Sequence, residues 1–216
     1  MERIKSSSVA LILLLAFATV FATSAQAAPE LLGTVPNPFQ AKGRAANLNT
    51  TGGNNVECKS NEATGTITST TGGELTASFK ECSKGCKTKG AAAKEVVWNT
   101  VKGSIVLIKG TPTDTYGVLD SNVNITIECT ALTVEKKGSI IGEATLKKNT
   151  KTLTTTVSTS QASQGVQAVK TCEEPTELCS GKEYFLKVKF GAGLFEEAAL
   201  VGSDEVAFKN EVEPVG

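Results

Sequence analysis

The chain of 216 residues contains no histidine, one tryptophan and two tyrosines, and its formal net charge is zero. Serine and cysteine nucleophiles usually rely on a histidine base, so the lack of histidine excludes the ordinary catalytic triad. The scarcity of aromatic rings leaves few platforms on which a sugar could stack. Balanced charge argues against electrostatic binding of nucleic acid, which requires clustered positive charge. We therefore expect no nucleic-acid partner and no cofactor.

A long apolar run lies near the N-terminus, from Val9 to Phe21. Arg3 and Lys5 precede this run, and Ala25-Gln26-Ala27 follows it. A basic start, an apolar core and a small-x-small exit are typical of a secretory signal peptide. The run is too short to span a bilayer comfortably, and no stop-transfer flank follows it.

The small residues Ala25 and Ala27 predict signal cleavage after Ala27, with cleavage after Ala28 as the second choice. We therefore expect an exported protein, either secreted or held at the cell envelope. The polar segment from Phe208 to Gly216 offers no apolar tail, so we expect no membrane anchor in the mature chain.

Six cysteines follow the leader, and an even number behind a signal peptide predicts disulfide bonds. Proximity in sequence favours Cys82–Cys86 and Cys172–Cys179 as local pairs, which leaves Cys58–Cys129, although many other pairings are possible. The alternative is a zinc site, because the spacing of Cys82 and Cys86 fits one half of such a site. The chain has neither histidine nor a matching second pair, so disulfides are the prediction. The cysteines concerned are Cys58, Cys82, Cys86, Cys129, Cys172 and Cys179.

Apolar and polar residues alternate with period two along much of the mature chain, which indicates β-strands. The clearest alternation covers Leu75–Phe79, Asn122–Cys129 and Tyr184–Phe190. A threonine-rich run from Thr150 to Thr159 fits a pleated surface, because threonine is β-branched. Helical periodicity with caps is not sustained anywhere in the mature chain.

Val96–Trp98 and Ile105–Ile108 are apolar without alternation, which predicts strands covered on both faces. Gly-containing turn signals separate the runs at short intervals. We therefore predict an all-β fold, a single antiparallel β-sandwich of Greek-key or jelly-roll type, stapled by disulfides. Trp98 is interpreted as a core residue, with a ligand platform at a sheet edge as the alternative.

The predicted domain organisation has four parts. The leader covers 1–27, and 28–55 is a poorly ordered arm or an irregular first layer, because it is rich in proline and glycine. The sandwich covers 56–210, and 211–216 is a tail. The alternation changes phase after Cys129, which predicts a β-bulge near Thr130–Ala131.

Short segments of the chain resemble a family of secreted all-β proteins from actinobacteria that has no assigned activity. The segments are Gly73–Thr76, Phe79–Cys82, Ile127–Cys129, Gly138–Gly142 and Phe195–Ala198. The resemblance covers roughly 56–210 and implies a bacterial host and an extracytoplasmic β-fold. It implies nothing about a substrate.

The leading hypothesis is a non-catalytic exported β-domain with a structural or binding role, whose partner is an envelope or extracellular polymer. The alternative is a polysaccharide-active enzyme that uses paired carboxylates, for which the candidates are Glu173, Glu174, Glu177 and Glu196-Glu197. The simpler interpretation of these acids is a solvated loop and a charged hairpin edge. A third hypothesis is strand-mediated assembly, which Lys187 and Lys189 disfavour because lysine guards exposed edges.

Overall fold

The computed structural model describes residues 28–108, 115–120, 124–172 and 183–216. Within these ranges the chain is built from strands and one short 3₁₀ turn, with no α-helix. The prediction of an all-β fold is therefore confirmed. In the same ranges, no helix is long and apolar enough to traverse a membrane. The predicted leader, with Ala25 and Ala27, lies outside the described residues.

Seventeen strands are defined within the described residues. In chain order they are β1 (Glu30–Gly33), β2 (Asn37–Gly43), β3 (Ala46–Thr50), β4 (Asn55–Cys58), β5 (Ser60–Ser69), β6 (Gly72–Lys80), β7 (Lys87–Thr88), β8 (Val96–Ile108), β9 (Thr115–Asp120), β10 (Ile125–Glu128), β11 (Thr133–Gly138), β12 (Ile141–Ala144), β13 (Thr152–Thr159), β14 (Gln161–Ser163), β15 (Val166–Gln167), β16 (Leu186–Phe190) and β17 (Glu196–Val215). The 3₁₀ turn covers Ser83–Gly85, between β6 and β7.

Eight of the described strands close into an antiparallel barrel. Their order is β13, β12, β9, β8, β6, β5, β2 and β17, and β13 pairs back onto β17. The predicted sandwich is therefore replaced by a barrel. The first strand of this order, β13, pairs with the last, β17, so these eight strands do not form two open sheets that face each other. Closure satisfies backbone groups that an open sheet would leave at its edges. Period-two alternation is common to sandwiches and barrels, so it could not separate them.

The long strand β17 connects the barrel to a second sheet. Its first part pairs with β3 and β16, as in the register Ala198↔Thr50 and Leu186↔Ala198. From Gly202 onward the strand pairs with β13 and β2, inside the barrel wall. Within the second sheet β16 also pairs with β11, so Lys187 and Lys189 do not guard an edge.

Between the second sheet and strands β6 and β8 lies the junction cluster, a contiguous core of buried residues. Phe79 and Trp98 pack within it with ring centroids 5.0 Å apart, which is within the usual range for an aromatic pair. Its members are Ala46, Leu48, Val56, Cys58, Ala77, Phe79, Cys82, Cys86, Val96, Trp98, Val101, Ile127, Val134, Ile140, Leu186, Val188 and Ala198.

Two disulfides lie in the junction cluster, and both differ from the prediction. The bonds are Cys58–Cys82 and Cys86–Cys129, so the predicted pairs Cys58–Cys129 and Cys82–Cys86 are wrong. Cys82 and Cys86 flank the Ser83–Gly85 turn with extended backbone on both sides, and each reaches a different strand region. Proximity in the sequence therefore predicted the wrong pairs, because the turn directs the thiols of Cys82 and Cys86 to separate partners.

Cys172 is also disulfide-bonded. Cys179, its predicted partner, lies outside the described residues, so the pair Cys172–Cys179 stays a prediction. Disulfides form and persist in oxidising compartments, so these bonds indicate folding outside the reducing cytosol.

The predicted arm and tail are both wrong, because each contains a strand of the fold. Strands β1, β2 and β3 lie within 28–55, and β2 is part of the barrel wall between β5 and β17. Residues 211–215 belong to β17, and 212–215 pair with β1. The predicted bulge near Thr130–Ala131 is instead the loop of the β10–β11 hairpin. A bulge does occur in β8 at Thr100, whose φ is 46°.

Candidate ligand-binding cavity

The barrel encloses a cavity of about 240 Å³. This volume is far larger than the roughly 10–15 Å³ that one water molecule needs. An eight-stranded barrel is just wide enough for its inward side chains to fill it or for one small ligand. In this barrel the filling is incomplete, because many inward positions carry small residues. Examples are Ala41, Ala63, Ala77, Gly103 and Ala144, all of which line the cavity.

One end of the cavity is aromatic. Phe39 on β2 and Phe208 on β17 are directly paired, and their rings meet edge to face with centroids 6.3 Å apart. Gly65 on β5 lies opposite Phe39, and a Cβ at this position would collide with the Phe39 ring. Glycine therefore gives the ring the space to lie across the barrel interior. Ile67 extends this apolar wall along β5.

A polar row lies four residues away along the same strands. Asp204 pairs with Gly43, and Gly43 pairs with Asn61, so the three residues follow one hydrogen-bonded row. A Cβ at Gly43 would collide with Asp204 Oδ1 and the Asn61 side-chain amide, so both polar groups lean over the glycine. At about 3.3 Å per residue, this row is roughly 13 Å from the aromatic pair.

Asp204 is the least satisfied group of the polar row. Its Oδ1 atom is buried, and within the described residues no donor meets it with hydrogen-bond geometry. Burial raises the pKa of the Asp204 carboxyl, and the neighbouring Asn61 amide offsets part of that rise. A buried acceptor without a donor costs free energy, so such an atom inside a cavity favours a ligand that donates to it.

A second polar group borders the cavity near Trp98. Lys136 on β11 has a fully buried side chain, and its Nζ lies 3.5 Å from Asp120 Oδ2 and 4.8 Å from the centroid of the Trp98 ring. Lys136 Nζ also donates to the Gly138 carbonyl at 3.1 Å. The backbone N–H of Ile140 donates to Asp120 Oδ1.

Burial shifts both members of this ion pair toward their neutral forms. The pKa of Asp120 rises to about 6, because desolvation outweighs the attraction of Lys136 and the hydrogen bond from Ile140. Desolvation likewise lowers the pKa of Lys136, against the pull of Asp120. Asp120 and Trp98 line the cavity, so Asp120 is the member of this pair that forms part of its wall.

Of the acidic residues in the enzyme hypothesis, the structure describes Glu196 and Glu197, and neither lines the cavity. Glu173, Glu174 and Glu177 lie outside the described residues. Glu197 forms an ion pair with Lys170 at 2.5 Å, and Glu196 Oε2 accepts a hydrogen bond from the Gly52 N–H at 3.1 Å. Both side chains thus have local structural partners. Elsewhere in the described part of the chain, no three His, Cys, Asp or Glu residues are arranged to hold a metal ion.

Sequence reasoning missed the cavity residues except Trp98. Trp98 is buried as predicted, and it also lines the cavity. It is therefore both a core residue and part of the cavity wall. The signal that was overlooked is the alternation Phe39, Ala41, Gly43, which marks inward positions of β2 with small side chains. Because alanine and glycine carry little hydropathy contrast, this period-two pattern was hidden.

Comparison with known proteins gives no relative from which to transfer a function. No protein-family model matches the chain, and no curated protein or solved structure matches it either.

Proposed function

We propose that this protein is an exported, non-catalytic binding domain that holds one small, predominantly apolar molecule inside its barrel. The observation that carries this proposal is the cavity of about 240 Å³, whose walls are mainly alanine, valine, leucine and phenylalanine side chains. Small-molecule sites are typically concave and mostly apolar, with a few placed polar groups. The polar row and Asp120 are such groups.

A barrel interior favours a small molecule over the polymer that was the first expectation. A polymer needs an open groove along which many units can lie, whereas the strands of a closed barrel surround the interior laterally. The disulfides support work outside the cytosol, and export through the predicted leader is part of the proposal.

The lone tryptophan provides the test. Trp98 lines the cavity, so a ligand that enters the barrel changes the emission of the chain's only tryptophan. We expect n-hexane and benzene to shift this emission saturably and to raise the melting temperature, because a ligand that binds only the folded state stabilises it.

Two alanine variants make the test specific to the barrel. Ala63→Leu adds volume inside the cavity, whereas Ala93→Leu makes the same change in an exposed loop. Hexane binding should weaken at least about tenfold in Ala63→Leu and stay unchanged in Ala93→Leu, since a single extra side-chain group in a pocket is worth about 1–3 kcal/mol. Absence of saturable binding of either hydrocarbon to the wild-type protein would overturn the proposed function.

A further inference from the structure

We infer that the natural ligand is an amphiphile whose hydroxyl or ammonium group donates a hydrogen bond to Asp204 Oδ1, with its apolar body lying toward the Phe39–Phe208 end of the cavity. This inference rests on the proposed function and adds the chemistry of the ligand's polar end. It names a donor-bearing group as the feature that the site recognises, and it excludes carboxylates and purely apolar molecules as preferred ligands.

The polar row contains an acceptor without a donor. Asp204 Oδ1 is buried in the cavity wall, and no donor among the described residues meets it with hydrogen-bond geometry. Buried polar atoms in folded proteins are almost always paired, and an exception in a binding cavity is explained when the partner arrives with a ligand.

A glycine provides the space in which that acceptor lies. Gly43 lies between Asp204 and Asn61 in one row, and a Cβ at Gly43 would collide with Asp204 Oδ1 and the Asn61 amide, so the two polar side chains occupy the space over the glycine. Gly43 has an ordinary backbone conformation, because its φ lies outside the left-handed region. The glycine is thus needed for space and not for backbone freedom.

The polar and apolar ends of the cavity are well separated. Asp204 and Phe208 lie on the same strand with the same inward orientation, roughly 13 Å apart along β17. A molecule that satisfies Oδ1 therefore places its remaining atoms against apolar wall, including Ala41, Val206 and the Phe39 ring. This is the arrangement of an amphiphile with one donor-bearing end.

The experiment compares three ligands that share one tail. Hexane, hexan-1-ol and hexanoate are titrated against the oxidised mature protein, with Trp98 emission as the readout. The variants are Asp204→Leu and, as its matched control, Glu205→Leu, which removes a carboxylate from the next, exposed position of β17. The measured quantity is the ratio of the Kd for hexan-1-ol to the Kd for hexane.

We expect Asp204→Leu to raise this ratio at least about tenfold, because a hydrogen bond to a charged group is worth about 1.5–3 kcal/mol. Glu205→Leu should leave the ratio unchanged. Hexanoate should bind the wild-type protein at least about tenfold more weakly than hexan-1-ol, since two carboxylates would face each other. Hexylammonium is titrated in the same way as hexan-1-ol, because both can donate a hydrogen bond to Oδ1. The lower of the two Kd values shows whether the site prefers a cationic group or a hydroxyl group.

A ratio that is the same in wild type, Asp204→Leu and Glu205→Leu would overturn the inference, while hexane binding itself would leave the proposed function standing. If Asp204→Leu does not fold, Gly43→Ala replaces it, because its Cβ would collide with Oδ1 and displace it from its position over the glycine. The same rise in ratio is expected there, and an unchanged ratio would again contradict the inference.

Discussion

The junction cluster and the barrel cavity are both lined by apolar side chains, but they are filled to different degrees. The junction cluster holds two disulfides and residues such as Val134, Val188 and Ala198 with no exposed surface. The barrel cavity borders this cluster, shares Ala77 and Trp98 with it, and keeps an unfilled volume of about 240 Å³. Protein interiors are normally close-packed. The unfilled region is therefore an exception, and it follows from the small residues that the sequence places at inward positions of the barrel.

The fold places its most densely packed region and its cavity next to each other on the same strands. Cross-links and dense packing at one end of β6, β8 and β17 hold the barrel wall in place, and the other part of the same strands can then carry alanine and glycine inward. A cavity costs stability because its lining atoms lose packing contacts. Placing the cavity beside a rigid region is a way to keep it open.

The largest effect is expected at the Asp120–Lys136 pair. Asp120→Ala leaves the fully buried Lys136 ammonium without its carboxylate, so the free energy of unfolding should fall by about 3–5 kcal/mol at pH 7. Urea denaturation measures this loss. The double variant Asp120→Leu/Lys136→Met, which removes both charges, should be clearly more stable than Asp120→Ala. As a control, Glu81→Gln removes the exposed partner of Lys59 and should change little.

The same pair predicts a pH dependence. The pKa of Asp120 rises from 3.8 to about 6 on folding, so between these values the folded state binds more protons than the unfolded state. Its contribution to stability is therefore full below pH 4 and is lost as the pH rises toward 6 and above, by about 3 kcal/mol for two pKa units. The free energy of unfolding of the wild type minus that of the Asp120→Leu/Lys136→Met variant should fall between pH 4 and pH 6. A difference that stays constant or rises with pH would contradict the raised pKa of Asp120.

Loss of the Cys86–Cys129 disulfide should have the next largest effect. Cys86→Ala/Cys129→Ala opens a link between residues 43 positions apart, and we expect the free energy of unfolding to fall by about 2–4 kcal/mol. Because this bond lies in the junction cluster and not in the cavity wall, hexane affinity of the folded fraction should change less than twofold. A large loss of affinity at constant folded fraction would show that the two regions are not separate.

The smallest effect comes from a matched pair of alanine substitutions. Ala198→Val overfills the close-packed junction cluster and should cost about 1–3 kcal/mol, as overpacking does in dense cores. Ala41→Val adds the same two carbons inside the cavity, where space is free, and should cost less than about 0.5 kcal/mol. Equal losses at both positions, measured by thermal and urea unfolding, would mean that the cavity is not open.

Much of the strand content could be predicted from side-chain alternation. The runs at Leu75–Phe79 and Tyr184–Phe190 contain parts of β6 and β16, and the uniformly apolar Ile105–Ile108 lies in β8 with both faces buried. Ile105 and Leu107 pack with Tyr116, whereas Val106 and Ile108 pack with Leu119 on the opposite face. These patterns are local, so one sequence suffices to read them.

Closure, disulfide pairing and the cavity could not be predicted, because each depends on residues far apart in sequence. The pairing of β13 with β17 joins positions such as Val157 and Asp204, and no local pattern indicates it. Asp204 looks like an ordinary turn residue in Gly202-Ser203-Asp204, and only its pairing with Gly43 places it in the barrel. The position of Asp204 depends on a residue far away in the sequence, so no local periodic pattern indicates it.

The most direct test of the separation between the two regions is methyl NMR of protein labelled at the alanine methyl groups. We predict that hexan-1-ol shifts the resonances of Ala41, Ala63 and Ala144, which line the cavity, and leaves those of Ala198 and Ala199 in place. Saturable shifts confined to Ala198 and Ala199, or no saturable shift at any of the five alanines, would contradict a ligand held inside the barrel.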